Sequence, residues 1–120
     1  MAKILIVEDN PDLLEILRDL LTADEHEVRT ARRGEEAVDE ARAVKPDLII
    51  MDLQLPAMSG IEAGVWIKRD VGEIPILALT ALAQNGDSDM VLRSGCCDAY
   101  MAKPASLSDI RSKVAELLRD

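Results

Sequence analysis

The stretch "LIIMDLQLP", Leu48 to Pro56, runs apolar from Leu48 to Met51, places an aspartate at Asp52 and closes on a proline. A short apolar run without polar alternation reads as a strand covered on both faces, the kind found in parallel sheets. Asp52 then stands where the strand leaves the core. Gln54 follows it, so no second acid, histidine or cysteine completes a conventional catalytic pair. What Asp52 does depends on which other segments deliver polar residues to the same place.

Similar short runs recur along the chain and alternate with longer segments of helical period, the pattern of repeated βαβ units. The strands are predicted at Lys3 to Val7, Glu27 to Ala31, Leu48 to Met51, Ile74 to Leu79 and Ala99 to Met101. The first helix has the clearest start: Asn10 can cap it, Pro11 suits its first position and Asp12 meets its positive end. Leu13, Ile16, Leu17, Leu20 and Leu21 form its apolar stripe. Further helices are expected from about Gly34 to Val44 and Ser59 to Asp70, and from a Ser106 cap, with Leu107, Ile110, Val114, Leu117 and Leu118 on one face. The fourth helix is the weakest. Asn85-Gly86 interrupts its start, and the pattern turns helical only from about Asp87, so a mobile entry is expected.

Composition narrows the function. At 120 residues and 48% hydrophobic content, the chain suits one domain spanning 1–120, with no room for an output domain. Acidic residues outnumber basic ones by 23 to 14, and the formal charge of −9 repels nucleic acid and anionic lipid. No apolar run approaches the roughly 18 residues of a membrane span, and the amino-terminal segment lacks a signal peptide's apolar region. A cytoplasmic protein is expected. Cys96 and Cys97 are sequence neighbours and form no disulfide framework; two small buried thiols are expected instead.

In a parallel sheet the carboxyl ends of the strands meet along one edge. Here they read "VEDN", "MDLQ", "LTAL" and "MAKP", and bring Glu8 and Asp9, Asp52, Thr80, and Lys103. With strands ordered 2-1-3-4-5, the first and third are neighbours at the point where the winding reverses, so Asp9 and Asp52 flank one crevice. Clustered carboxylates repel unless a cation or protons intervene. Oxygen donors without histidine or cysteine favour a hard ion, Mg²⁺ or Mn²⁺, and exclude zinc. Thr80 offers a hydroxyl and Lys103 a positive charge, which suit a phosphoryl group beside such an ion. Asp52 then becomes the nucleophile and aspartyl phosphate the product.

Together "ILIVEDN", "PDLIIMDLQLPAMSG", "IPILALTA" and "GCCDAYMAKP" resemble the receiver domain of two-component response regulators, the CheY-like family, over essentially the whole chain. "MDLQLPAMSG" and "ALTALAQNGD" look closest to stand-alone receivers of the DivK type. The resemblance implies an α/β, flavodoxin-like, doubly wound sheet of five parallel strands with five helices. It implies phosphorylation of Asp52 by a histidine kinase or histidine phosphotransfer protein, with Mg²⁺ held by Asp9, Asp52 and the backbone carbonyl of Gln54. By the same resemblance Glu8 would act on the ion mostly through water, Thr80 and Lys103 would hold the phosphoryl oxygens, Tyr100 would be the switch aromatic, and Lys103-Pro104 matches the family's cis peptide. The signal is expected to pass to a separate effector protein. Leu82, where relatives often carry phenylalanine, and Cys96-Cys97 depart from the family pattern.

Three other readings arise on sequence alone, one of them a flavin-binding module of the same fold, which is disfavoured because only one Trp and one Tyr could stack a ring and the strand ends are acidic where its phosphate would sit. A phosphatase with an aspartate nucleophile shares the first chemical step, but its usual second acid is replaced by Gln54. A folded receiver that is never phosphorylated shares every element, and Mg²⁺ with acetyl phosphate or beryllofluoride separates the two. His26, in the polar "ADEHE" turn, is expected to be solvated. Trp66 is expected to be a partly buried packing residue.

Overall fold

The computed structural model describes residues 1–81 and 87–119. Strands β1 (Lys3–Val7), β2 (Glu27–Ala31), β3 (Leu48–Met51), β4 (Ile76–Thr80) and β5 (Ala99–Ala102) alternate with helices α1 (Pro11–Ala23), α2 (Gly34–Val44), α3 (Gly60–Asp70), α4 (Asp87–Arg93) and α5 (Leu107–Leu118). All strand pairs are parallel and the sheet order is β2-β1-β3-β4-β5, so the expected doubly wound, flavodoxin-like α/β fold is the one observed.

The period of two along each strand divides the core into two layers. Leu5, Val7, Ile49, Met51, Ile76 and Ala78 face one side, where Ala37 and Ala41 of α2 and Ala63 and Ile67 of α3 cover them. Ile4, Ile6, Leu48, Ile50, Leu77 and Leu79 face the other, beneath Leu17 and Leu21 of α1 and Ile110 and Val114 of α5. Every residue of β3 and β4 is buried, as their unbroken apolar runs predict. Burial at about 25 cal/mol per Å² of apolar surface makes these layers the main source of stability.

The caps set where the helices begin. Asn10 accepts hydrogen bonds from the N–H groups of Asp12 (2.9 Å) and Leu13 (3.3 Å). Ser59 accepts from Glu62 N–H at 3.2 Å and Ser106 from Asp109 N–H at 3.0 Å. Lys45 ends α2 in the left-handed conformation, φ 51°, just before Pro46.

Three strand boundaries shift, at both ends of β4 and, by one residue, at the end of β5, which runs to Ala102. β4 starts at Ile76 rather than Ile74, because Pro75 has no N–H for the ladder, although its carbonyl still accepts from Ile49 N–H at 2.9 Å. The Ile76 N–H is instead taken by the Asp98 carboxylate at 2.8 Å. At the other end β4 includes Thr80, paired in register with Ala102. Cys96 and Cys97 are both buried free thiols, as expected. His26 is tied down more than expected, since its Nδ1 accepts from the Ala2 N–H at 3.1 Å. Trp66 is 46% exposed on α3. Leu82, Asn85-Gly86 and the expected mobile entry to α4 lie outside the described residues. No helix among the described residues is long and apolar enough to cross a membrane.

Candidate functional site

β1 and β3 run side by side with Val7 opposite Met51, so the residues that follow each strand emerge together at the carboxyl edge. The Asp52 N–H donates to the Val7 carbonyl at 3.0 Å, and the Glu8 N–H donates to the Ala31 carbonyl at 3.0 Å. These bonds extend the ladders one step and hold both acidic residues to the sheet. Glu8, Asp9 and Asp52 each offer a carboxylate oxygen, and the three atoms lie within 4.8 Å of one another. Glu8 and Asp52 are buried and Asp9 is exposed, so the cluster has a closed floor and an open mouth.

Lys103 reaches this cluster from the far side. Its N–H donates to the Thr80 carbonyl at 3.0 Å, which docks the end of β5 onto the end of β4. The Lys103–Pro104 peptide is cis. The ammonium stands 2.8 Å from Glu8 Oε1 and 2.9 Å from Asp52 Oδ2, bridging acids from two other strands. The second oxygens are also engaged: Glu8 Oε2 accepts from Asn10 N–H at 3.1 Å and Asp52 Oδ1 from Gln54 N–H at 3.0 Å.

The titration behaviour follows from this arrangement. Burial pushes the Glu8 carboxyl above its ordinary range, and the charge on Asp52 adds to the rise, while hydrogen bonds from Lys103 and Asn10 oppose it. Burial works to lower the Lys103 ammonium, yet its bonds to Glu8 and Asp52 outweigh that effect and hold it above its ordinary range. A charged lysine between two carboxylates therefore neutralises much of the crevice.

Oxygen-only donors at this spacing, two of them buried, fit a hard divalent cation such as Mg²⁺, which keeps part of its water shell and tolerates an open side. The Gln54 main chain is within hydrogen-bonding distance of Asp52, and the exposed side chain beyond it leaves the mouth accessible. Thr80 is fully buried at the end of β4. Because Ala78 pairs with Tyr100 and Thr80 with Ala102, Tyr100 and Thr80 fall on the same face of the sheet. Tyr100 packs against the core layer under α2 and α3. Glu8, Asp9, Asp52, Gln54, Thr80 and Lys103 thus stand at the carboxyl edge, while Tyr100 lies two residues before the end of β5.

Reasoning from sequence missed two features of the site. Gly60 allows α3 to start against the strand end: a Cβ there would lie 2.2 Å from the Asp52 carbonyl oxygen and 2.6 Å from Leu53 Cα. The end of β2, "ARRG", also reaches this edge, where Arg32 donates from Nη2 to the Asp9 carbonyl at 3.1 Å. Two adjacent arginines at a strand end were the available signal.

Comparison with known proteins agrees with this geometry. The family model described as response regulator receiver domain matches residues 4–115. The chain is 42% identical to the polar-differentiation response regulator DivK of Brucella anthropi, with 98% of this chain and 96% of the relative covered. Among solved structures it is similar to the receiver domain of the Pseudomonas aeruginosa sensor histidine kinase PA1611, which has a magnesium ion coordinated in its active-site cleft. That match has a TM-score of 0.87 and 31% identity over 99% of this chain and 98% of the other. The response regulator TrrA of Thermotoga maritima, solved in complex with Mg²⁺-BeF, has a TM-score of 0.87 and 32% identity over 98% of this chain and 100% of the other.

Proposed function

The chain belongs to the response regulator receiver domain family, and from that premise we propose that it accepts a phosphoryl group on Asp52 from a phosphohistidine. The donor is a histidine kinase or a histidine phosphotransfer protein. The observation that carries this reading is the convergence of Glu8, Asp9 and Asp52 within 4.8 Å, with the Lys103 ammonium 2.9 Å from Asp52.

The residues take the following roles. Asp52 is the nucleophile: it is buried and held in place by Gln54 N–H and Lys103, so the carboxylate needs little reorganisation before attack. Glu8, Asp9, Asp52 and the Gln54 carbonyl would hold Mg²⁺, which would neutralise charge on the transferring phosphoryl group. Once Asp52 carries the phosphoryl group as an acyl phosphate, Lys103 can exchange its bond to Asp52 Oδ2 for one to a phosphoryl oxygen, and the Thr80 hydroxyl supplies a second donor. Gln54 in place of a second acid disfavours multiple turnover, so the chain acts as a phosphoacceptor that catalyses its own transfer.

Phosphorylation adds roughly one further negative charge and several strong acceptor oxygens at the site. Thr80 and Lys103 then gain a better partner in one arrangement than in the other, which biases a two-state equilibrium. Their main chains are already bonded to each other, and Tyr100 lies two register positions from Thr80 on the same face. The readout surface is the face formed by α4, β5 and α5, offered to a separate effector protein.

The test is incubation with Mg²⁺ and acetyl phosphate, followed by intact-mass measurement. Wild type should gain the mass of one phosphoryl group and Asp52→Asn should gain none; modification of another residue would refute the assignment.

A further inference from the structure

β2 ends at Ala31, and the next two residues stand beside the loop that carries Asp9. Arg32 is committed there: its guanidinium donates to the Asp9 carbonyl at 3.1 Å, and its N–H donates to Glu36 Oε1 at 2.9 Å. Arg33 is not. It occupies the position that caps α2 and makes no side-chain capping bond. Among the described residues its guanidinium is in no ion pair or hydrogen bond. With Asp9, Arg32, Glu36 and Pro56 it lines an open recess of about 380 Å³ at the mouth of the acidic crevice.

An arginine in this place works against the local helix. The capping position favours small side chains that accept a hydrogen bond, and a positive charge is unfavourable at the amino end of a helix. Conflicts between local preference and the sequence chosen concentrate at functional sites. The electrostatics of the site supply a function. The chain carries a formal charge of −9, and while Lys103 and a bound Mg²⁺ would offset the carboxylates inside the crevice, an anionic phosphoryl donor still approaches its mouth against the repulsive field of the whole chain. Lys103 is already engaged by Glu8 and Asp52, and Arg32 by Asp9. Arg33 keeps its charge available at the entrance.

We propose that Arg33 is a positioning residue that captures the anionic phosphoryl donor at the recess formed with Asp9, Arg32 and Pro56. It does so before the phosphoryl group passes to Asp52. The inference rests on the phosphoacceptor reading of Asp52. In the transfer itself an Asp52 carboxylate oxygen forms a bond to phosphorus while the bond from phosphorus to the donor's leaving atom breaks. The electron pair of that bond departs with the leaving group, which is acetate when acetyl phosphate is the donor. Arg33 touches none of these bonds. Its effect is on the donor concentration needed, with the rate at saturation unchanged.

The experiment measures initial phosphorylation rates of the full chain against acetyl phosphate concentration at saturating Mg²⁺, for wild type, Arg33→Gln, Arg33→Glu and Arg33→Lys. Arg33→Gln should raise the half-saturating concentration roughly twofold to fivefold, the effect of losing one exposed charge pair. Arg33→Glu should raise it on the order of tenfold, and high salt should erase both differences. Arg33→Lys should restore most of the loss. Limiting rate and Mg²⁺ affinity, the latter by calorimetry without donor, should hold throughout. Phosphoramidate, whose ammonium nitrogen offsets part of the phosphoryl charge, should show a smaller dependence on Arg33. Half-saturation that does not move in Arg33→Glu, or a loss confined to the limiting rate, overturns this inference alone. A wild-type chain that takes up no phosphoryl group on Asp52 overturns the phosphoacceptor reading, and this inference falls with it.

Discussion

Replacing Lys103 with methionine keeps most of the apolar stem and removes the ammonium that stands 2.8 Å from Glu8 and 2.9 Å from Asp52. The two carboxylate side chains are only 3% and 7% exposed, so water cannot fully take over either bond. Two charge-assisted bonds of about 1.5–3 kcal/mol each would be lost, and removing one partner of a buried pair costs about 3–5 kcal/mol. The lysine is itself 22% exposed and Glu8 can relax by taking up a proton, which places the expected loss near the lower end, about 2–3 kcal/mol. With a urea dependence of about 1.5 kcal/mol per molar for a domain of this size, the unfolding midpoint should fall by roughly 1.3–2 M in EDTA at neutral pH.

The pH dependence makes this prediction more demanding. Glu8 has a folded pKa above its ordinary 4.5, so folding favours its protonated form, and its burial costs stability at every pH above the raised value. Without Lys103, Glu8 loses a bond that opposes its rise and titrates higher still. The gap between wild type and Lys103→Met should therefore narrow as pH falls from the variant's Glu8 value to the lower, still raised, value of the wild type. Mg²⁺ should recover stability in the variant, by about 2.7 kcal/mol at a hundredfold excess over its dissociation constant. Urea titrations followed by far-UV circular dichroism at several pH values, with and without Mg²⁺, measure all of this. An unchanged midpoint at neutral pH, or a gap that widens in acid, would show that Lys103 does not neutralise the crevice.

Other perturbations have equally definite outcomes. Glu8→Gln removes a carboxylate that is costly to bury and should stabilise the metal-free protein at neutral pH, raising its urea midpoint. The gain should vanish as pH falls toward 4.5, while calorimetry should show weaker Mg²⁺ binding. Gly60→Ala places a Cβ 2.2 Å from a backbone oxygen, a clash that no rotamer relieves, and should cost about 2–3 kcal/mol in urea unfolding together with slower phosphorylation of Asp52. Asn10→Ala removes the acceptor for two N–H groups at the start of α1 and should cost about 1 kcal/mol by the same unfolding assay, with Mg²⁺ affinity unchanged.

Much of this molecule was legible from residue pattern because its signals are local. Asn10, Ser59 and Ser106 mark helix starts through bonds within a few residues, and the unbroken runs of β3 and β4 require cover on both faces whatever the rest of the chain does. The convergence of Glu8, Asp9 and Asp52 was also legible, since a parallel sheet sends all carboxyl ends to one edge. Features that depend on distant segments were harder to read. Asp98 claims the first N–H of β4, so the boundary beside Pro75 is settled by a residue 22 positions away. Gly60 looks like an ordinary glycine near a helix start until the crossing over the Asp52 carbonyl is seen. The two arginines after β2 gain meaning only when that strand is placed next to β1, where one of them bonds to Asp9.

Lys103 has a further consequence through its two attachments. Its main chain is fastened to β4 and its tip spans to acids belonging to β1 and β3, while its own strand is the outermost of the sheet. A tug on the tip is therefore delivered straight to the periphery, bypassing the tightly filled interior. The proposed phosphorylation at the middle of the carboxyl edge would then be felt at the rim of the sheet with the hydrophobic layers left undisturbed, a covalent event answered without loosening what keeps the protein folded.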